Sequence, residues 1–286
     1  MRNPAHRLYP VCMLAVSLLV IPVCAQQSRP GNAHDAPGWP ITNPQRGTGR
    51  VVPDATLGVQ SPATDGAAES CSMWSVSGAQ QTSANAATLK VPGKAEREYG
   101  KACHDLNARR LPSAETHLRK AIQQSPQYAA AWVLMGQVLG AGDRIDEARA
   151  ACAKATAADA RYTSAYLCLA DVAARQQQWN QALAMADRAL ALSPAQDPYG
   201  YFYSAIAEFH LGRVSDAEKS ASQTIDADLV HSIPQAHLLL AQIYATEDDV
   251  HDAIIQLSVY LKLAPNAPDA AAAREKMGQL QRQDPK

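Results

Sequence analysis

The chain has 286 residues, a formal charge of −1 and 47% hydrophobic residues, with only two phenylalanines. Its apolar content leans on alanine, a strong helix former that fills large cores poorly, so closely packed helices suit it better than a β-sandwich or a deep α/β core. A near-neutral balance without a dense Lys/Arg cluster argues against nucleic acid as a partner, because phosphate binding needs a basic stripe.

Residues 1–25 read as an export signal. Arg2, His6 and Arg7 precede the apolar run Val11–Val23, and small residues follow at Cys24-Ala25. A basic start, a short apolar centre and small residues before a cut describe a secretory signal peptide. The run is too short for a confident membrane span, so none is expected once the signal is removed after Ala25. Lipidation at Cys24 is disfavoured, since Ile21-Pro22-Val23 lacks the small residues it needs. The protein is therefore expected in the periplasm or outside the cell.

Export leaves Cys71, Cys103, Cys152 and Cys168 in the mature chain. Four cysteines in an oxidising compartment allow three full pairings. No C-x-x-C occurs, which removes the zinc and thioredoxin signatures. Cys152 and Cys168 are expected as small buried hydrophobes, the common state of free cysteine.

Residues 26–90 are rich in Pro, Gly, Ser, Asn and Gln, and no apolar periodicity survives there. Such a segment cannot bury enough surface to offset its ordering entropy and reads as a disordered tether. One apolar island stands out, Cys71-Ser-Met-Trp-Ser-Val76. Packing on the first repeat is the preferred reading of Trp74, with a docking anchor as the alternative.

A repeating spelling begins next, clearest at Ala182…Ala186…Ala189…Pro194. Copies start at Ala114, Ala148, Ala217 and Ala253, so the lead alanines lie 34, 34, 35 and 36 residues apart. Twelve residues before each stands Ala102, Gly136, Ala170, Ala205 or Ala241. A small residue at a fixed place on each of two helices lets the pair approach closely. Breakers and charges lie between them, at Arg109–Pro112, Gly140–Asp143, Gln176–Trp179, Leu211–Arg213 and Glu247–Asp249. Each unit is therefore helix, short turn, helix, and a period in this range predicts an all-α solenoid. The units fall at 95–128, 129–162, 163–196, 198–231 and 234–267. Residues 268–286 restart a helix, with Ala270, Ala273, Met277 and Leu280 on one face and a polar opposite face, and read as a capping helix and tail.

The array resembles tetratricopeptide repeats, with Trp132-Val-Leu-Met-Gly136 close to that family's W-x-x-L-G signature and Ala170, Ala182, Ala189 and Pro194 at later signature positions. The resemblance covers about 60% of the chain, residues 95–267. It departs at Ala160 and Leu229, which replace proline, at Cys152, which replaces a large residue, and at Thr224, which replaces alanine. It implies a right-handed α-solenoid whose first helices line a concave groove for a protein or peptide ligand. On that groove it puts Tyr99 with Glu96, Cys103 and Leu106, then Val133 and Gln137, then Leu167, Asp171 and Arg175. Unit four contributes Tyr199, Phe202, Phe209 and His210, and unit five Leu238 and Gln242. The aromatics of unit four either anchor a partner or fill space around the extra residue near Asp197; both readings stand. Arg175 lacks the Lys/Asn run of the family's carboxylate clamp, so chaperone-tail binding is not expected.

Catalytic chemistry finds no support. There is no H-E-x-x-H, no Gly-rich phosphate loop and no G-x-S-x-G elbow, so no metal, cofactor or catalytic residue is assigned. The histidines of the array, His117, His210, His231, His237 and His251, read as surface or packing residues. The expectation is an exported, non-catalytic interaction scaffold. Its rivals are an envelope enzyme or glycan-binding protein with an unrecognised site, and a purely structural spacer.

Overall fold

The computed structural model describes residues 91–193 and 197–283. The expected signal peptide and the whole of the tether at 26–90, including Cys71–Val76, lie outside them. The described residues form eleven α-helices. Ten make five hairpins: α1 (Gly93–Asn107) with α2 (Leu111–Gln124), α3 (Ala129–Ala141) with α4 (Ile145–Ala158), α5 (Thr163–Arg175) with α6 (Trp179–Leu192), α7 (Pro198–His210) with α8 (Val214–Ala227), and α9 (Gln235–Thr246) with α10 (Val250–Leu263). The eleventh, α11 (Ala270–Gln283), packs on α10. Each second helix meets the first helix of the next hairpin, and α3 also meets α5, α5 meets α7 and α7 meets α9. The fold is an all-α solenoid of hairpins closed by a capping helix.

The repeated small residues explain the pairing. Ala114, Ala148, Ala182, Ala217 and Ala253 are fully buried, as are Ala102, Ala170, Ala205 and Ala241 on the facing helices. Backbones that meet over alanine pack closely without leaving a void. Gly136 takes this economy furthest. A Cβ there would stand 2.6 Å from the Sγ of Cys152 and 2.7 Å from that of Cys168.

Those two sulfurs are bonded to each other, which corrects the expectation of free buried thiols. Cys152 on α4 and Cys168 on α5 are both buried, with Cα atoms 5.6 Å apart, and their disulfide joins the second hairpin to the third. Their 16-residue separation in sequence crosses a hairpin boundary, so only the stacking of α5 on α4 brings them together.

Each hairpin turns in the same way. The first helix ends with one residue in the left-handed region: Arg109 (φ 57°), Asp143 (59°), Gln177 (58°), Gly212 (76°) and Asp248 (60°). The next amide then reaches back five residues, as in Arg110 N–H to Asp105 O at 2.8 Å and Gln178 N–H to Ala173 O at 2.9 Å. This is the Schellman motif, which satisfies carbonyls that a helix end leaves open. It closes each hairpin in three residues, tighter than the breaker clusters alone indicated, so Leu111 and Trp179 already belong to second helices.

The connections between hairpins use two devices. After α2 and α10 a proline follows the last helical turn, at Pro126 and Pro265. Where Ala160 and Leu229 replace it, the preceding residue is a buried aspartate that folds the turn itself. Asp159 Oδ1 accepts the amide of Arg161 at 2.9 Å. Asp228 accepts the amides of Ser232 at 3.0 Å and Ile233 at 2.6 Å, with the Ser232 hydroxyl at 2.8 Å. This carboxylate organises the extra residues of the fourth connection, where His231 is left-handed (φ 55°) and Leu229 and Val230 are exposed.

The family's signature tryptophan also has a visible task. Trp132 Nε1 donates to Pro126 O at 2.8 Å, and one period later the Tyr166 hydroxyl donates to Ala160 O at 3.0 Å. Each ties the start of a first helix to the end of the preceding hairpin. At the far end the Tyr260 hydroxyl donates to Asp269, fastening the approach to α11. No described helix is long and apolar enough to cross a membrane.

Candidate partner-binding face

The residues mapped onto the groove divide into two groups. Tyr99, Val133, Gln137, Leu167, Phe209, Leu238 and Gln242 are buried. Val133 packs within the core of the first three hairpins, Leu167 between hairpins three and four, Phe209 between hairpins four and five, and Leu238 between hairpin five and the cap. These side chains hold neighbouring hairpins together. Asp171, Arg175, Tyr199, Phe202 and His210 remain partly exposed, all on α5 and α7.

This second group is organised around Asp171. Its Oδ2 accepts Arg175 Nε at 2.7 Å, one turn along α5, and its Oδ1 accepts the Tyr203 hydroxyl from α7 at 3.1 Å. The carboxylate thereby clamps two successive first helices. Tyr203 is held far above the ordinary phenol range by burial, and the neighbouring Asp171 charge adds to this. It is a fixed hydrogen-bond donor. Nothing in the sequence marked Tyr203 for this role beyond its place in the aromatic cluster, because the contact spans 32 residues.

The aromatics of hairpin four divide between core and partly exposed positions. Phe209 is core, 1% exposed, while Phe202 lies 5.9 Å from Tyr203 and only leans on the core of hairpins four and five. His210 stacks on Trp179 of α6, ring centroids 3.9 Å apart and planes 10° apart, with Phe209 edge-on at 5.8 Å. Tyr199 packs toward hairpin three, and burial raises its hydroxyl above the ordinary range despite a bond with Ser232. Asp197 caps α7 by accepting the Tyr199 amide at 3.0 Å; its burial raises its carboxyl above the usual range. Among the described residues no group of His, Cys, Asp or Glu is arranged to hold a metal ion.

The array can also be set beside known proteins. Family models described as tetratricopeptide repeat match residues 106–170 and, for a second model, 167–229 and 211–268. Among solved structures, a thermophilic tetratricopeptide repeat protein of Thermus thermophilus is 18% identical, with a TM-score of 0.53 over 65% of this chain and 98% of that one. The Cut9–Hcn1 heterotetramer of the APC/C matches with a TM-score of 0.62 at 17% identity, over 70% of this chain and 38% of that one. The pilF protein of Pseudomonas aeruginosa is 16% identical, with a TM-score of 0.53 over 68% of this chain and 93% of that one. At these identities the likeness is one of fold. No curated protein matches the chain.

Proposed function

We propose, from the premise that this chain belongs to the tetratricopeptide repeat family, that it is an exported, non-catalytic scaffold for a protein or peptide partner in envelope assembly. The reading rests above all on the partly exposed patch Asp171, Arg175, Tyr199, Phe202 and His210 on α5 and α7. Aromatic side chains and arginine dominate the energy of protein interfaces, especially over a rigid, packed base. Here that base is the Tyr203–Asp171 clamp and the Trp179–His210 stack.

Two observations support export. The basic, apolar and small-residue order of residues 1–25 is that of a secretory signal. The Cys152–Cys168 disulfide fits an oxidising compartment, where such bonds persist.

Site-specific photo-crosslinking in the native host tests the partner reading. A probe at position 202 should capture a protein, whereas a probe at Ile255, exposed on α10, should not. Phe202→Ala should reduce partner recovery at least tenfold with helix content unchanged, about the size expected of a hot-spot aromatic. Phe209 is the wrong residue for this test because its loss opens the core. Equal capture from both probes, or full recovery with Phe202→Ala, would sink the assignment.

A further inference from the structure

The bond between Cys152 and Cys168 joins α4 to a helix that carries the partner face. On α5, Cys168 lies about one turn before Asp171 and two turns before Arg175. Asp171 in turn holds α7 through the Tyr203 hydroxyl at 3.1 Å. We propose that the cysteine pair is a redox gate on this face. Once reduced, two crowded thiols push α5 off α4, the Asp171–Tyr203 clamp opens and the partner is released. The inference rests on the partner reading and adds its regulation.

The crossing has no room for two separate thiols. A Cβ on Gly136 would stand 2.6 Å from the Sγ of Cys152 and 2.7 Å from that of Cys168, so the backbone of α3 closes that side. The same core packs Ala148, Ala151, Ala155 and Ala165, all buried, around the pair. Unbonded heavy atoms settle roughly 3.5–4 Å apart, well beyond any bond, so a broken pair must spread. α4 is paired with α3 inside its own hairpin, whereas α5 stacks on it from the next, and α5 is the element to give. The clamp tolerates little movement, because a side-chain bond of 3.1 Å is gone at about 3.6 Å.

The reduced state has a partner ready. Val133 O on α3 lies 3.8 Å from the Cys168 sulfur, an acceptor for the thiol proton. Both states of the pair are thus provided for, as a two-state device requires.

Reduction consumes a dithiol. One of its thiolates attacks a cysteine sulfur and forms a mixed disulfide, and its second thiolate then displaces the remaining cysteine. Cys152 and Cys168 together gain two electrons and two protons, and the dithiol leaves as a disulfide. Both sulfurs are buried, so attack follows a local opening of this crossing.

Titration of the full chain with dithiothreitol tests the gate, with native alkylation and mass spectrometry following the two thiols. Hydrogen exchange in α5 and α7 should quicken at least tenfold as the pair opens, while α10 and α11 stay unchanged. Capture by a photo-probe at position 202 should fall at least tenfold in step. Cys103 is also disulfide-bonded, so Cys152→Ala/Cys168→Ala serves as the control. Its two methyl groups relieve the crowding, and it should keep slow α5 exchange and full capture with or without dithiothreitol. A pair that dithiothreitol never opens, or unchanged α5 exchange in the reduced chain, overturns the proposal. So does quickening shared equally by α10 and α11, undiminished capture, or the same response in the control. The exchange measurement needs no partner: an oxidised chain that captures nothing at position 202 overturns the partner reading, while α5 exchange still decides whether the crossing opens.

Discussion

Gly136 lies directly beneath the bond between Cys152 and Cys168, and a single added methyl group would stand 2.7 Å from the Cys168 sulfur. A disulfide cannot swing aside as a free side-chain end can, so the clash falls on the backbones of α3, α4 and α5. Gly136→Ala should therefore destabilise the array by about 1–3 kcal/mol, the usual cost of overpacking a close-packed core. In a Cys152→Ala/Cys168→Ala background the same change should be far milder. Urea titration of the four variants reads this coupling directly. The cysteine pair itself should contribute about 3 kcal/mol, lost on reduction, as a loop of this length predicts.

The hairpin turns make a second prediction. Four of five left-handed positions carry residues with a Cβ, and only the fourth has the glycine that suits it. L-residues there cost roughly 1 kcal/mol or more. Gln177→Gly and Arg109→Gly should raise the urea midpoint, by up to about 1 kcal/mol each after the gain in unfolded-state entropy. Gly212→Ala should lower it by about 1 kcal/mol, although nothing lies within 4 Å of the added methyl. The opposite signs separate backbone strain from packing.

A third prediction concerns the missing prolines. Asp159, before Ala160, has φ −145° and ψ 102°, close to the −143° and 87° of Ser125 before Pro126. Position 160 is thus already preceded by backbone that tolerates proline. Ala160→Pro should stabilise the chain by about 0.5 kcal/mol by restricting the unfolded state. Asp228→Ala should do the reverse by about 1–3 kcal/mol, because the amides of Ser232 and Ile233 lose their acceptor. Thermal unfolding of both variants checks the pair.

The acid limb of stability should depend on Glu98. Lys101 and His117 each bond its carboxylate at 2.6 Å, and they hold its pKa down at about 2, the Lys101 bond contributing most. The unfolded chain takes up this proton first, near the ordinary value of 4.5. The stabilisation is therefore complete above about pH 4.5 and disappears as pH falls toward 2. Glu98→Gln should lie below the parent in urea midpoint at about pH 6 and converge with it near pH 2. Parallel curves across that window would exclude Glu98 as a source of acid sensitivity.

The period and the alanines made the hairpins legible, because a small residue where two helices cross is a local demand that each copy must repeat. The groove was legible only in part. Spacing put Val133, Leu167 and Leu238 on the same helical side as Phe202, yet how far one hairpin overlaps the next decides which of them stay open. That overlap is set by contacts such as Tyr203 to Asp171, which no periodicity records. The disulfide escaped for the same reason: Cys152 departs from the repeat pattern, and its partner belongs to the following unit. Asp159 and Asp228 fold their turns by accepting amides two to five residues further on, a task that carries no signature in the sequence.

The bond between hairpins two and three also sets how the molecule would yield to force. Stretched from its two ends, the chain cannot draw out the 16-residue step from Cys152 to Cys168. At roughly 3.4 Å per residue about 50 Å of contour stays hidden. A single-molecule pulling trace should gain that length only after a reductant is added.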